Sequence, residues 1–141
     1  MIAFWILLGV GCATVFLALA KVKPEQESQI LAVGLVVAAL IYVGFAVVAE
    51  ANPSWVATEI AGVGAYGLLA VLGLRYSNCW LVLGWIAHPI WDIGLHLVGN
   101  GALFTPAQYA IACVSFDLLV ASYIAGIQLE MFNSRRQNYE S

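Results

Sequence analysis

Residues 30–49 read ILAVGLVVAALIYVGFAVVA, a run without a single charged side chain. The hydrocarbon core of a bilayer is about 30 Å thick, and a helix of about 20 apolar residues crosses it. A helix also satisfies its own backbone hydrogen bonds, as lipid requires. This stretch therefore predicts a transmembrane helix.

Four further apolar runs of similar length follow the same pattern along the chain. They are separated by short polar segments, of which KVKPEQESQ at residues 21–29 is the longest in the first half. Ser54 is the predicted N-cap of the third run, and Thr105-Pro106 is the predicted start of the fifth. We predict five transmembrane helices, over residues 2–20, 30–49, 55–74, 79–98 and 105–132, followed by a polar tail at 133–141.

The composition of the whole chain supports this interpretation. Of 141 residues, 63% are hydrophobic and 9% are charged, and the mean hydropathy is +0.94. Soluble domains are about 45–50% apolar and about 25% charged. These values exclude an ordinary soluble enzyme, and five basic residues are too few for a nucleic-acid footprint. The predicted fold is all-α, a single transmembrane domain over residues 1–141.

The basic residues predict the orientation. Five spans place the first loop, the third loop and the C-terminus on one side of the membrane, and those segments hold every basic residue: Lys21, Lys23, Arg75, Arg135 and Arg136. Positive residues mark the cytoplasmic side. We therefore expect the N-terminus outside, the C-terminus in the cytoplasm, and a multi-pass location in a bacterial inner membrane or its equivalent.

The three cysteines are scattered through the predicted helices. Cys12, Cys79 and Cys113 form no C-x-x-C pair. Zinc ribbons and thiol oxidoreductases need such close pairs. We interpret all three cysteines as small apolar packing residues.

Helix four carries polar residues that a lipid-facing helix would not tolerate. His88, Asp92 and His96 are spaced at i, i+4 and i+8, which places them on one helical face. Pro89 is expected to kink the helix there. Ionisable side chains inside a membrane usually face the bundle interior, so this face predicts a functional site.

Acidic residues on the neighbouring helices lie at similar predicted depths. Glu59 falls near the outer end of helix three, and Asp117 in helix five falls close to the level of His88. Asp117 shares a stripe with Tyr109 and Cys113. We expect helices three, four and five to form one polar pocket that opens outward.

Imidazoles and carboxylates are good ligands for transition metals. The predicted ligands are His88, Asp92, His96 and Glu59, and the predicted metal is zinc, iron or manganese. His88 and His96 lie about 12 Å apart along a helix axis, too far to hold one ion unaided. Either the kink closes this distance, or two ions each use one pair with Glu59 or Asp117, or Asp117 only orients His88. Asp92 and Glu59 are the candidate catalytic bases of a hydrolase acting on a lipid or other apolar substrate.

Other functions suit the same residues. Asp92 and Glu59 could carry protons in a proton-coupled transporter or small-ligand module. The polar residues could instead only fix helix packing in a non-catalytic accessory subunit. Aromatic side chains could line a lipid or pigment slot. The candidate ligand-binding residues are Trp85, Trp91, Tyr66, Tyr109 and Asp117, with Phe116 beside them.

The run Gly84-Trp85-x2-His88-x2-Trp91-Asp92-x3-His96 resembles the motif of an uncharacterised domain-of-unknown-function family of small bacterial polytopic membrane proteins. The resemblance covers most of the chain, and its motif is confined to helix four. It implies a membrane bundle with a polar face on that helix and brings no activity. The expected partners are the bilayer, an apolar small molecule, and a second copy or a larger membrane complex.

Overall fold

The computed structural model describes residues 1–140, and their side chains as far as residue 138. Within that part of the chain the fold is all-helical and contains no strand. The five helices are α1 (Ile2–Lys21), α2 (Glu27–Val48), α3 (Pro53–Arg75), α4 (Cys79–Trp91) and α5 (Ala107–Glu140). Four of them are long and apolar enough to cross a membrane, namely α1, α2 with the turn before it, α3 and α5. The prediction of an all-α fold is confirmed, and these four helices have the length and composition that a membrane span requires.

The connection into α3 differs from the prediction. Asn52, and not Ser54, is the N-cap residue, and its side chain accepts a hydrogen bond from the Ser54 amide at 3.0 Å. Pro53 occupies the first helical position, where its missing N–H costs nothing. Glu50 precedes this cap with a φ of 50° and is exposed, so it lies outside the polar interior.

The fourth helix changes its winding in the middle of the polar stretch. α4 ends at Trp91, and a π-helical segment (Asp92–Leu97) continues it. Pro89 lacks an amide hydrogen and so disturbs the regular hydrogen bonding of this region. A π turn winds less per residue than an α turn, so the angle around the axis between His88 and His96 differs from that of a regular α-helix. The kink predicted at Pro89 therefore takes the form of a changed helix type, which is frequent at functional sites.

Small residues allow the helices to approach closely. A Cβ on Gly9 would collide with the Ala112 carbonyl oxygen, so α1 can pack tightly along α5. A Cβ on Gly84 would collide with Leu35, where α4 meets α2. Helix association in lipid depends on such close packing, because lipid tails are as apolar as leucine.

Several polar side chains lie in the interior of the bundle, and many large apolar side chains lie on its surface. The buried polar residues are Glu59, His88, Asp92, His96, Thr105 and Asp117, whereas much of the exposed area of α1 is formed by large apolar side chains. This distribution suits a chain surrounded by hydrocarbon, since only interior polar groups then find partners.

Candidate metal centre

Two helices contribute a central cluster of four side chains: His88, Asp92, Cys113 and Asp117. His88 and Asp92 stand four residues apart on the α4 side, and Cys113 and Asp117 stand four residues apart on α5. Residues at this spacing share one helical face. Because α4 packs against α5, the two faces meet and all four side chains are buried.

The distances within the central cluster are short. His88 Nδ1 lies 2.9 Å from Asp117 Oδ2 and 3.5 Å from Asp92 Oδ2. Cys113 Sγ lies 3.7 Å from Asp117 Oδ2 and 4.0 Å from His88 Nδ1. One ligand atom from each residue falls within 4.8 Å of the other three.

This spacing matches what a tetrahedral ion requires of its ligands. Zinc binds nitrogen and oxygen at about 2.0–2.2 Å and sulfur at about 2.3 Å, which separates ligand atoms by roughly 3.3–3.8 Å. The nitrogen, oxygen and sulfur donors of the central cluster need only shifts of a fraction of an ångström to about one ångström. A single cation could therefore contact all four residues.

Several polar atoms of the cluster have no hydrogen-bond partner among the described residues. They are both Asp92 carboxylate oxygens, Asp117 Oδ1 and His88 Nε2. Buried acceptors without donors are costly. Two carboxylates and a thiol face one imidazole, so the cluster has more acceptor atoms than protons to share. A cation would satisfy this excess.

Aromatic rings surround the central cluster. The Tyr66 and Tyr42 rings lie 5.0 Å and 5.7 Å from the His88 ring. Trp85 is fully buried against Phe116, with ring centroids 5.8 Å apart. The cluster is therefore enclosed in a wall of low polarity, in which electrostatic interactions are stronger than in water.

A second buried polar group lies in the same bundle and consists of His96 and Glu59. His96 Nε2 is 3.5 Å from Glu59 Oε1. Trp91 Nε1 donates to Glu59 Oε2 at 3.4 Å, and the Trp91 ring can lie over α3 because Gly62 has no side chain. The His96–Glu59 pair thus joins the π-helical segment to α3.

The loop between the π-helical segment and α5 folds over His96. Thr105 Oγ1 lies 3.1 Å from His96 Nδ1, and the Phe104 ring meets the imidazole edge-on at 5.8 Å. Gly101 fits against the same ring, since a Cβ there would come within 2.6 Å of Nδ1. This loop closes off His96. Four ionisable residues expected to line an outward-opening pocket on three helices, Glu59, Asp92, His96 and Asp117, are all buried instead.

The four predicted metal ligands fall into two groups. His88 and Asp92 belong to the central cluster, while His96 and Glu59 form the separate pair. The two candidate bases, Asp92 and Glu59, are divided in the same way. His88 lies beside Asp117 and His96 lies beside Glu59, and whether one ion or two would use these residues stays a prediction. The roles assigned to these residues stay predictions.

The predicted ligand-binding residues do not gather around one cavity. Trp85 is buried in the core, Trp91 bonds to Glu59, and Tyr66 packs on His88. Asp117 is a member of the central cluster. Tyr109 is half-buried and lines an apolar groove on another side of the bundle. Their role in ligand binding stays a prediction.

Sequence reasoning missed Cys113. All three cysteines were predicted to be apolar packing residues. Cys113 instead has polar neighbours, because its sulfur faces two carboxylates and an imidazole. Cys12 and Cys79 are exposed. A signal was available, since Cys113 lies one helical turn before Asp117 on the stripe predicted to face His88.

The comparisons with known proteins identify a family and no activity. No curated protein and no solved structure matches the chain. The model of one family matches residues 4–129, which includes all five helix regions and every residue of the central cluster. The predicted membership of an uncharacterised family is confirmed, and a bacterial origin stays a prediction. The chain belongs to the Family of unknown function (DUF6010).

Proposed function

We propose that this chain is a metal-binding membrane protein and that the central cluster holds one divalent transition-metal ion. The observation that carries the proposal is the convergence of four buried donors, one each from His88, Asp92, Cys113 and Asp117, within 4.8 Å of one another. Two carboxylates and a thiol beside one imidazole leave a negative charge excess that a divalent cation offsets.

The donor set favours zinc over iron and manganese. Zinc accepts nitrogen, oxygen and sulfur ligands in a tetrahedron, whereas manganese prefers oxygen ligands in an octahedron. Four protein ligands are typical of closed zinc sites, while catalytic sites keep one position open. Hydrolysis of a lipid or other apolar substrate therefore requires one donor to leave. Asp92 is the candidate, because neither of its oxygens has a hydrogen-bond partner in the described chain.

Elemental analysis of the detergent-purified protein tests the metal proposal. Native protein purified without chelators is compared with a His88→Ala, Asp92→Asn double variant. His96→Ala, which removes the other histidine of the same polar stretch, is the matched control. We expect near-stoichiometric metal in the native protein and in the control, and none in the double variant. Native protein without metal, even after attempted reloading, would contradict the proposal.

Proton-linked transport is the second candidate, and the position of Tyr42 favours it. The Tyr42 ring stacks on His96 at 4.2 Å with an interplanar angle of 18° and lies 5.7 Å from His88. It therefore stands between the two histidine–carboxylate groups. Stability that changes with pH in metal-free protein, together with insensitivity to chelators, would favour this function. Tolerance of all these substitutions would favour an accessory subunit in which the polar residues only fix packing.

We infer further that the bundle crosses the membrane five times, with the N-terminus outside. The helical run over residues 79–97 is about 28 Å long at about 1.5 Å per residue, close to the hydrocarbon thickness of about 30 Å. The one-sided distribution of basic residues supports the orientation. A green fluorescent protein fused to the C-terminus should fluoresce, and an alkaline phosphatase fused there should be inactive. The reverse result would overturn the topology.

A further inference from the structure

An apolar groove of about 350 Å³ runs between α1, α2 and α5. Phe16, Gly34 and Tyr109 line it, and Cys113 and Phe116 lie along its floor. Ligand pockets range from about 300 to 1,000 Å³, so the groove is large enough for a slender ligand. Its lining is almost entirely carbon.

The groove exists because of how α1 is packed. α1 lies along α5, to which Ser115 Oγ ties it by donating to the Ile6 carbonyl at 3.1 Å, and it meets α2 at few positions. Gly34 on α2 has no side chain, and a Cβ there would come within 2.6 Å of the Phe16 ring. Beside this contact the groove between α1 and α2 is open to the outside of the bundle.

A second apolar cavity of about 460 Å³ continues the groove toward the start of α5. The two cavities share Leu8, Tyr109 and Ala112. Trp5 and Gln108 line the far end of the second cavity. Tryptophan and polar side chains are favoured at the headgroup level of a membrane. The two cavities form one track from that level into the middle of the bundle.

Cys113 connects this track to the central cluster. The residue lines the groove on one side, and on the other its sulfur lies 3.7 Å from Asp117 Oδ2. Phe16 and Phe116 also line the groove, and their ring centroids are 5.5 Å apart. Because Cys113 lines the groove, a molecule lying there would pass beside a donor of the cluster.

We propose that the groove binds one acyl chain of a membrane lipid, with the lipid headgroup near Trp5 and Gln108. A track that opens into hydrocarbon and is lined by carbon favours a hydrocarbon occupant, since a polar ligand would lose its hydrogen bonds there. The lipid headgroup would lie beside the Gln108 amide and the Trp5 indole, which both line that end. The inference rests on the proposed metal site. If the central cluster binds a metal, the acyl chain is the part of a lipid substrate that lies next to that metal.

Photo-crosslinking in nanodiscs tests the inference. Phosphatidylcholine nanodiscs contain a trace of phosphatidylcholine with a diazirine midway along one acyl chain, and labelled fragments are located by mass spectrometry. In the native protein we expect label concentrated on the groove residues of α1, α2 and α5. Excess palmitate should displace the diazirine lipid and so lower the label on the groove residues. This competition uses the native protein alone. Label spread evenly over all lipid-facing helix surfaces, or unchanged by palmitate, would overturn the inference.

A matched pair of substitutions on α2 sharpens this test. Ala38→Phe places a ring in the groove and should reduce the groove label several-fold. Gly44→Phe lies on the same helix, where a Cβ would meet no atom within 4 Å, and should keep the label. Equal labelling of the two variants would count against the groove.

Metal analysis of the same samples separates the two proposals. Ala38→Phe should keep its metal while losing the groove label, and Asp117→Asn should lose its metal while keeping the label. Absence of metal from the native protein overturns the proposed function, whatever the labelling pattern. Metal present with non-specific labelling overturns only the acyl-chain site.

Discussion

The central cluster and the His96–Glu59 pair are both buried groups built around a histidine of the same polar stretch. Around His88 stand two carboxylates and a thiol, and four polar atoms of the cluster have no hydrogen-bond partner. Around His96 stand one carboxylate and a threonine hydroxyl, and Trp91 donates to that carboxylate. Glu59 Oε1 and His96 Nε2 also lack a hydrogen-bond partner among the described residues, but the second group has one carboxylate for one imidazole, whereas the first has two carboxylates and a thiol for one imidazole.

This difference indicates which of the two groups would gain more from a cation. A buried pair of one carboxylate and one imidazole can share its own charge or proton. A buried group with surplus carboxylates is costly while they stay ionised, so it must take up protons or bind a cation. Both groups contain a histidine. The side chains around that histidine therefore distinguish the candidate metal centre from the His96–Glu59 pair.

Asp117→Asn should have the largest effect on metal binding. The change keeps the side-chain shape and removes the negative charge that lies 2.9 Å from His88. We expect affinity to fall by on the order of 100-fold or more, since losing an outer-shell partner alone costs about 10–100-fold. Competition with a chromophoric chelator measures the change. Unchanged affinity for the metal would contradict the assignment of the central cluster, rather than the His96–Glu59 pair, as the metal centre.

Cys113→Ser should have a smaller effect that depends on the metal. A hydroxyl is a poorer ligand than a thiolate for zinc, so we expect about a 10-fold loss for zinc and less for manganese. Cobalt substitution gives a direct signature, because a sulfur-to-cobalt charge-transfer band should disappear. Cys79→Ser, at an exposed position, is the control and should retain the band. A variant spectrum identical to the native one would exclude Cys113 as a ligand.

Glu59→Gln should change stability without changing metal content. The amide can still accept from Trp91 but cannot carry the charge that faces His96. We expect the free energy of unfolding to fall by about 1–3 kcal/mol, the cost of leaving a buried partner unsatisfied. Thermal unfolding in detergent measures it, alongside elemental analysis. Loss of metal comparable to that in Asp117→Asn would unite the two groups into one site.

Tyr42→Phe should have the smallest effect. The ring keeps its stacking on His96, and the lost hydroxyl has no hydrogen-bond partner among the described side chains. We therefore expect a change of about 1 kcal/mol or less. Tyr42→Leu also removes the stacking and should cost about 0.5–1.5 kcal/mol more. A large pH-dependent effect of Tyr42→Phe would instead favour a proton path between the two groups.

Hydropathy was sufficient to predict that the apolar runs form helices, because lipid tolerates few other solutions for runs such as residues 30–49. It did not predict the end of the last helix, since α5 continues to Glu140 through the segment expected to be a polar tail. Depth arguments also brought Asp117 near the level of His88, since rise per residue is nearly constant in a helix. Asp117 was also named as a group that could orient His88, and the two lie 2.9 Å apart. The partner of His96 was left open, because the segment Asp92–Leu97 contains no residue that requires π winding and the sequence does not show which carboxylate faces it.

Cys113 shows a different limit. A cysteine with apolar neighbours in the sequence looks the same whether it packs in the core or binds a metal. For Cys113 only its position opposite His88 in the structure distinguishes the two roles. The loop over His96 was also unpredicted, because Gly101 and Thr105 look like ordinary turn residues in the sequence. Such cases depend on contacts between helices, and the residue periodicity of a single helix carries no information about those contacts.

The packing of α1 along α5 has a consequence for how the protein is made. Ribosomes synthesise about 5–20 residues per second, so on the order of 10 s separate the appearance of the first helix from that of the last. During that interval α1 lacks its main partner. Cys113 and Asp117 also arrive with α5, so half of the central cluster is missing until the final helix docks. Biogenesis of the centre is therefore a late event, and a chain cut short before α5 would be inserted in the membrane without it.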